Sequence, residues 1–332
     1  MPSALVTGAS GLVGSHIAEQ LVIQGWNVRA LLRTPSAELV AGGVETVIGD
    51  VLDADRFRHA ARGQDVIFHC AAAITPRGGW DAYRRLNVEG TSNAIEAAEL
   101  AAARLVQVSS IAVYGPNGRF RNALGKTDED TKLADLPDGA FYARSKRESE
   151  QLVLTAHDAG RIWATAVRPA VIYGTRDRQF VPRVAKLLRW GIAPLIGGGR
   201  STLAIVHAAN VADGTIRAAT HDAAGGRAYN LTNDFDVTVR EFLNYASQGL
   251  GRRVHFVPIP LPVARTAFRL ARSIATVVAG GRASALMGAS LSMVTRDNPF
   301  TSDRARHELG WVPAVRPEQS IPEAFRWWLA RH

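Results

Sequence analysis

Eight residues, Thr7-Gly8-Ala9-Ser10-Gly11-Leu12-Val13-Gly14, follow a short apolar run and open a stretch with helical periodicity. Gly8 permits a tight turn, Gly11 lets backbone N–H groups approach a ligand, and Gly14 permits close packing of helix on strand. A helix starting near Ser10, Leu12 and Val13 presents unpaired N–H groups and the positive end of its dipole. A dinucleotide pyrophosphate needs such a cradle. Glycine triplets also mark ordinary turns, so the place of this one, between a first strand and a helix, carries the meaning.

The rest of the first half keeps the same rhythm. Residues 4–6, 28–32, 45–48, 65–71, 105–109 and 163–168 read as strands. Residues 13–24, closed by Gly25, then 87–103 and 142–157, read as helices. Strands separated by helices predict an α/β fold, a Rossmann-type doubly wound parallel sheet with ligands beyond the carboxyl ends of its strands. Residues 1–173 are expected to form the NAD(P)-binding domain and 174–332 mainly a smaller mixed substrate-binding lobe, with 203–232 returning to the sheet. A chain of 332 residues can bury the core this needs.

Composition narrows the setting. The lone cysteine, Cys70, rules out a disulfide framework, and the N-terminus lacks a charged region and a cleavage site, so a cytoplasmic protein is expected. No apolar run approaches the roughly 18 residues that span a bilayer. The net charge of +9 raises nucleic acid as a partner, but the cations are scattered and all but Lys126, Lys132, Lys146 and Lys186 are arginine. A solvated arginine-rich surface is the plainer reading, and no nucleic-acid partner is expected.

The second strand ends in Leu31-Leu32-Arg33, where an NAD-binding turn usually carries an acid for the ribose 2′-hydroxyl. A guanidinium there favours a 2′-phosphate, so NADP(H) is expected ahead of NAD(H); a solvated loop arginine would leave NAD acceptable. The third strand ends in Gly49-Asp50-Val51. Asp50 suits the adenine amino group, although a helix N-cap is the competing role, shared with Asp53 and Asp55.

Tyr142-Ala143-Arg144-Ser145-Lys146 places a phenol and an ammonium four residues apart, on one face of a helix. A free tyrosine titrates near 10, and a nearby ammonium is expected to lower that value. Lys146 also suits the nicotinamide ribose hydroxyls. Ser110 follows the 105–109 strand, at the same sheet edge, with a hydroxyl able to polarise a substrate oxygen toward Tyr142. These features predict hydride chemistry without a metal.

Taken with GDVLD (49–53), HCAA (69–72), NVEGT (87–91), VSSIAVYG (108–115), VRPAVIYG (167–174) and RARHELGW (304–311), the chain resembles an extended short-chain dehydrogenase/reductase over nearly its whole length. Within the NAD-dependent epimerase/dehydratase superfamily, it is most similar to the 3β-hydroxysteroid dehydrogenase-like group. The resemblance implies Ser110, Tyr142 and Lys146 as active-site triad. It also implies Asn87 beside the cofactor, Ala71 and Ala72 along its cleft, and Pro169, Ala170 and Ile172 near the nicotinamide. His69, Cys70 and His207 read as packing residues. A homodimer through the helices after Asn87 and Tyr142 is a further implication.

Sugar-nucleotide members of this superfamily grip the diphosphate with an arginine where this chain has Leu203, and with an Arg-x-x-Asp where it has Leu291-Ser292-Met293-Val294. Losing two charge-assisted contacts forfeits about 1.5–3 kcal/mol each. Arg296 stands nearby as a substitute. Residues 258–293 are rich in Leu, Val, Ala and Ile, and 263–278 has helical periodicity with Phe268, Ala271, Ile274, Ala275 and Val278 on one side and Arg265, Arg269 and Arg272 on another. That helix either packs over the active site or touches an anionic membrane as a peripheral contact. The expected activity is hydride transfer between nicotinamide and a secondary alcohol or ketone of an apolar, sterol-like or 3-oxo-acyl, small molecule. The alternative is a nucleotide-sugar or hopanoid-pathway-like sugar epimerase or dehydratase. A non-catalytic scaffold is a third reading, opposed by the presence of both Tyr142 and Lys146.

Overall fold

The computed structural model describes residues 1–74, 78–115, 125–232, 235–267 and 295–332. The chain begins Ser3–Thr7 (β1), Leu12–Ile23 (α1), Asn27–Leu32 (β2), Ala37–Ala41 (α2), Glu45–Ile48 (β3), Ala54–Ala61 (α3) and Val66–His69 (β4). Gly79–Tyr83 (α4) runs through a π-helical segment, Arg84–Glu89, into Gly90–Ala101 (α5), followed by Arg104–Val108 (β5), Phe141–Asp158 (α6) and Ala164–Pro169 (β6). Val171–Tyr173 (β7), Phe180–Leu188 (α7), Ile192–Ile196 (β8), Ile205–His207 (β9), Ala208–Thr220 (α8) and Ala228–Leu231 (β10) come next. Val239–Gly249 (α9), His255–Ile259 (β11), Asp303–Leu309 (α10) and Pro317–Leu329 (α11) follow.

Within the described residues, seven parallel strands form one sheet in the order β10-β6-β5-β4-β1-β2-β3. The chain moves outward from β1 to β3 on one side and from β4 to β10 on the other. The strand order therefore reverses between β1 and β4, where open α/β sheets bind ligands. Period-two alternation divides the core. Ala4, Val6, Phe68 and Val106 pack beneath α1 and α8, while Leu5, Ile67 and Leu105 pack against residues of α3, α5 and α6. Both faces are covered, which is why these strands read as near-continuous apolar runs.

The 203–232 segment divides between two sheets. β9 pairs in parallel with β7 in a separate two-stranded sheet, and β10 joins β6 at the edge of the main one. A third small sheet, β8 with β11, lies in the later half. Its inner face joins a core built on Tyr173, Val181, Leu188, Leu195, Phe242 and Phe325. No described helix is long and apolar enough to cross a membrane. Residues 268–278, including Phe268, Arg269, Ala271, Arg272, Ile274, Ala275 and Val278, and likewise Leu291, Ser292, Met293 and Val294, lie outside the described residues.

Candidate active site

The glycine turn closes on itself through a Gly11 N–H donating to the Gly8 carbonyl at 2.8 Å. Gly8 sits at φ +66°, and a Cβ on it would meet the Ala71 nitrogen at 2.8 Å. A Cβ on Gly14 would collide with the Gly8 carbonyl oxygen. Both positions therefore require glycine, one for its backbone angle and one for close helix–strand approach. Gly11 is the N-cap of α1 and makes no side-chain cap, so the first turn keeps its N–H donors for an anion. Ser10 stands exposed on that turn, Leu12 and Val13 are half-buried, and Gly14 is buried. The residues present fit a dinucleotide.

Ser110 follows β5, and Tyr142 and Lys146 come from the first turns of α6, which packs on β6. Tyr142 shares a hydrogen bond with Ser110. The Lys146 ammonium donates to the Val108 carbonyl at 2.7 Å, two residues before Ser110. The three side chains thus meet at the carboxyl end of β5. Ser110 also accepts from the Ala112 N–H at 3.2 Å, which sets its rotamer. Burial raises the Tyr142 pKa above its ordinary value; the Ser110 hydrogen bond opposes that rise and Tyr83 adds to it. The expected acidification of the phenol by Lys146 is not seen: desolvation, which penalises a phenolate, dominates, and the ammonium is directed at the Val108 carbonyl. Lys146 itself is pushed down to about 8 by burial, with Cys70 and Glu150 drawing it back up.

The other expected contacts are distributed around this centre. Ala71 donates its N–H to Thr7 Oγ1 at 3.2 Å, which ties the end of β4 to the glycine turn, and Ala72 follows it. Asn87 is buried; its side chain donates to the Ala73 carbonyl at 3.0 Å and to Ser145 Oγ at 2.9 Å, and accepts from the Ala73 N–H at 2.7 Å. It clamps the cleft wall to α6 from within the π-helical segment, a deformation often found at functional sites. Asp53 is the N-cap of α3, accepting from Arg56 N–H at 3.0 Å, so Asp50 is relieved of that role and accepts from Leu52 N–H instead. The Val51 carbonyl accepts from Asn93 at 2.8 Å. Arg33 is exposed just past β2. Pro169 ends β6, Ala170 donates to the Leu231 carbonyl at 3.1 Å, and Ile172 lies half-buried in β7.

The histidines are structural. His69 and Thr7 Oγ1 are hydrogen-bonded at 2.9 Å, and burial with the Lys146 charge pushes the imidazole down to about 3. His207 accepts the Ala209 N–H at the start of α8 and is likewise pushed down to about 3 by burial, with His16 adding to it. Burial pushes the Cys70 thiol up to about 12, against the pull of Lys146. Leu203 is 4% exposed, a core residue where sugar-nucleotide enzymes place a grip on diphosphate.

Sequence reasoning missed two groups. Tyr83 packs its ring 6.5 Å from that of Tyr142 and donates to the Ile74 carbonyl at 2.8 Å, forming part of the wall around the phenol. Arg168, in β6, is held by Glu150 on α6 through three contacts of 2.6–3.1 Å and donates to Tyr114 Oη at 2.8 Å. An arginine inside the apolar run Ala164–Pro169 was the available signal, since a buried guanidinium demands a partner. A cavity of about 300 Å³ opens beside the glycine turn, lined by Ser10, Ser36, Glu38, Arg176 and Arg178. Arg176 is braced there between Glu19 and Glu38.

Residues 5–259 match the sequence profile of the 3-beta hydroxysteroid dehydrogenase/isomerase family. The chain is 34% identical over 320 residues to a 4-hydroxy-2-methyl-3-oxo-4-farnesyl-3,4-dihydroquinoline-1-oxide ketoreductase of Stigmatella aurantiaca, covering 95% of this chain and 93% of that one. It is 34% identical over 252 residues to a 2-alkyl-3-oxoalkanoate reductase of Stenotrophomonas maltophilia (strain K279a), covering 74% and 75%. The structure of MoeE5 in complex with UDP-glucose and NAD shares the fold, with a TM-score of 0.72 and 23% identity across 99% of both chains. The chain belongs to the 3-beta hydroxysteroid dehydrogenase/isomerase family and is an extended short-chain dehydrogenase/reductase, an NAD(P)-dependent oxidoreductase.

Proposed function

We propose that this enzyme uses NADPH to reduce the 3-oxo group of an apolar small molecule, an alkyl-3-oxo-acyl compound or a sterol-like ketone. The observation that carries this reading is the Ser110–Tyr142 hydrogen bond beside a buried Lys146, at the carboxyl end of β5, next to β4 on one side of the switch point. A nicotinamide cofactor bound at the glycine turn would supply the hydride. Tyr142 gives its proton to the carbonyl oxygen as charge develops there, and Ser110 holds that oxygen by a hydrogen bond. Lys146, buried at the same strand end, would hold the ribose hydroxyls of a nicotinamide cofactor. The two reductases it resembles are named for 3-oxo substrates, which supports the ketone class. The screen that tests it measures NADPH consumption against 2-alkyl-3-oxoalkanoates, 3-oxosteroids and nucleotide sugars. Turnover of a nucleotide sugar without net loss of NADPH, and none of the ketones, would reject it.

The preference for the phosphorylated cofactor rests on Arg33, exposed at the end of β2 with no acid beside it. Arg33→Ala is expected to weaken NADPH binding about tenfold, the lower range for an exposed charge-assisted contact, and to leave NADH binding nearly unchanged. Quenching of tryptophan fluorescence gives both dissociation constants. Equal losses for the two cofactors would show that Arg33 does not read the 2′-phosphate.

The pH profile follows from the two buried groups. Tyr142 is held above its ordinary value near 10 and Lys146 is lowered to about 8, so Lys146 is the first of the two to lose its proton as pH rises. Ketone reduction, kcat/KM, is therefore expected to stay level up to about pH 7.5 and to fall as pH rises through about 8. Lys146→Arg keeps its charge across this range, so its residual activity should lose that descending limb. A wild-type profile level to pH 10 contradicts the assignment.

A further inference from the structure

Two stretches of the sequence contain no acid at all: 178–212 and 242–296. The fold brings them side by side as β8 and β11, paired in parallel with Ile192 opposite His255 and Pro194 opposite Val257. Paired residues in a parallel ladder point to the same side, and the burial pattern shows which side that is. Ala193 and Leu195 are buried, whereas Ile192, Pro194, His255 and Val257 are exposed. One face of this small sheet packs on the core, and the other offers apolar side chains to the surroundings.

The neighbouring turn extends that face. Trp190 is 76% exposed and Ile192 58%, with Leu187 exposed at the end of α7. Lys186, Arg189, Arg252 and Arg253 are exposed around them. Arg252 donates to the Arg189 carbonyl at 2.7 Å, and the Arg189 guanidinium lies 4.7 Å from the centre of the Trp190 ring. An exposed tryptophan set among aliphatic side chains and rimmed by cations has the composition of a surface that lies in a lipid headgroup region. A second copy of the chain suits it poorly, since a two-fold contact would bring cations against cations. Nucleic acid suits it poorly as well, because the face is mainly apolar, with Ile192, Pro194 and Val257 exposed, and offers few side-chain donors besides His255 and Trp190 for base edges or phosphates.

We propose that the exposed face of the β8–β11 sheet, with Trp190 at its edge and Lys186, Arg189, Arg252 and Arg253 around it, docks on an anionic phospholipid surface. The inference depends on the surface alone and not on which ketone is reduced. Cations attract the leaflet, and Trp190, Ile192 and Val257 enter the headgroup layer once it is reached.

The test is co-sedimentation of the full chain with phosphatidylcholine vesicles, with and without phosphatidylglycerol. Binding is expected only with phosphatidylglycerol, and it should be largely lost near 1 M salt, where screening shortens to about 3 Å. The triple variant Lys186→Glu/Arg189→Glu/Arg253→Glu should lower the partition coefficient about tenfold or more. Trp190→Ala should weaken binding while preserving its salt dependence. Unchanged thermal midpoints and unchanged reduction of a water-soluble ketone would show that the variants are folded. Equal sedimentation with both vesicle types, capture of duplex DNA but not vesicles, or loss of self-association as the sole effect of the triple variant would each overturn the proposal.

Discussion

Tyr142→Phe is expected to lower ketone reduction by about 10²–10⁴-fold, the usual contribution of a positioned general acid, while NADPH binding changes little. The substitution removes one oxygen and retains the ring that packs against Tyr83. Ser110 keeps its contact with the Ala112 N–H but loses its partner on α6. Because burial raises the Tyr142 pKa, the phenol is protonated at neutral pH and begins a reduction in its competent state. The reverse reaction needs the phenolate, which burial disfavours. Single-turnover reduction with saturating NADPH isolates the chemical step, and fluorescence quenching reports cofactor binding separately. A variant retaining more than about a tenth of the wild-type rate would remove Tyr142 from the role of acid, whose loss costs at least about a hundredfold.

Features set by local chain chemistry were legible beforehand. The Gly8 turn, the alternation of β1 to β6 with their helices and the four-residue spacing of Tyr142 and Lys146 depend on neighbours in sequence, and each is read from a periodicity or a backbone requirement. Features set by distant partners were not. The helix expected over 87–103 is divided into a π-helical segment and α5, and Asn87 in that segment bonds to Ala73 and Ser145, residues remote in sequence. Spacing placed Lys146 on the face of Tyr142, yet the acidity of the phenol is governed by burial, which spacing does not report. Asp50 and Asp53 were equivalent as N-caps on paper, and only the geometry at Arg56 separates them. The apolar character of the later lobe was visible from composition, whereas the pairing of β8 with β11 requires residues some sixty positions apart to meet.

Arg168→Leu is expected to destabilise the protein by about 3–5 kcal/mol, the cost of leaving a buried charge without its partner. Arg168 and Glu150 have side chains only 8% and 6% exposed and meet along the Nε–Nη2 edge of the guanidinium. Burial alone would disfavour the guanidinium charge; the Glu150 carboxylate more than offsets this and holds the Arg168 pKa above its ordinary value. With leucine at 168, Glu150 faces an apolar neighbour, and Tyr114, still hydrogen-bonded to Asn230 at 2.9 Å, loses the donor at its oxygen. The double variant Arg168→Leu/Glu150→Met removes the stranded charge with its partner and should recover most of the loss, because well-packed apolar replacements of buried ion pairs are often neutral. Glu150 also lies one turn beyond Lys146 on α6 and draws its pKa upward. The double variant should therefore move the descending limb of the reduction profile below about 8, even where stability is restored. Chemical denaturation of the two variants, with a pH profile of the double variant, separates the parts: equal stabilities for single and double variants would mean that Glu150 is not stranded by the loss of Arg168.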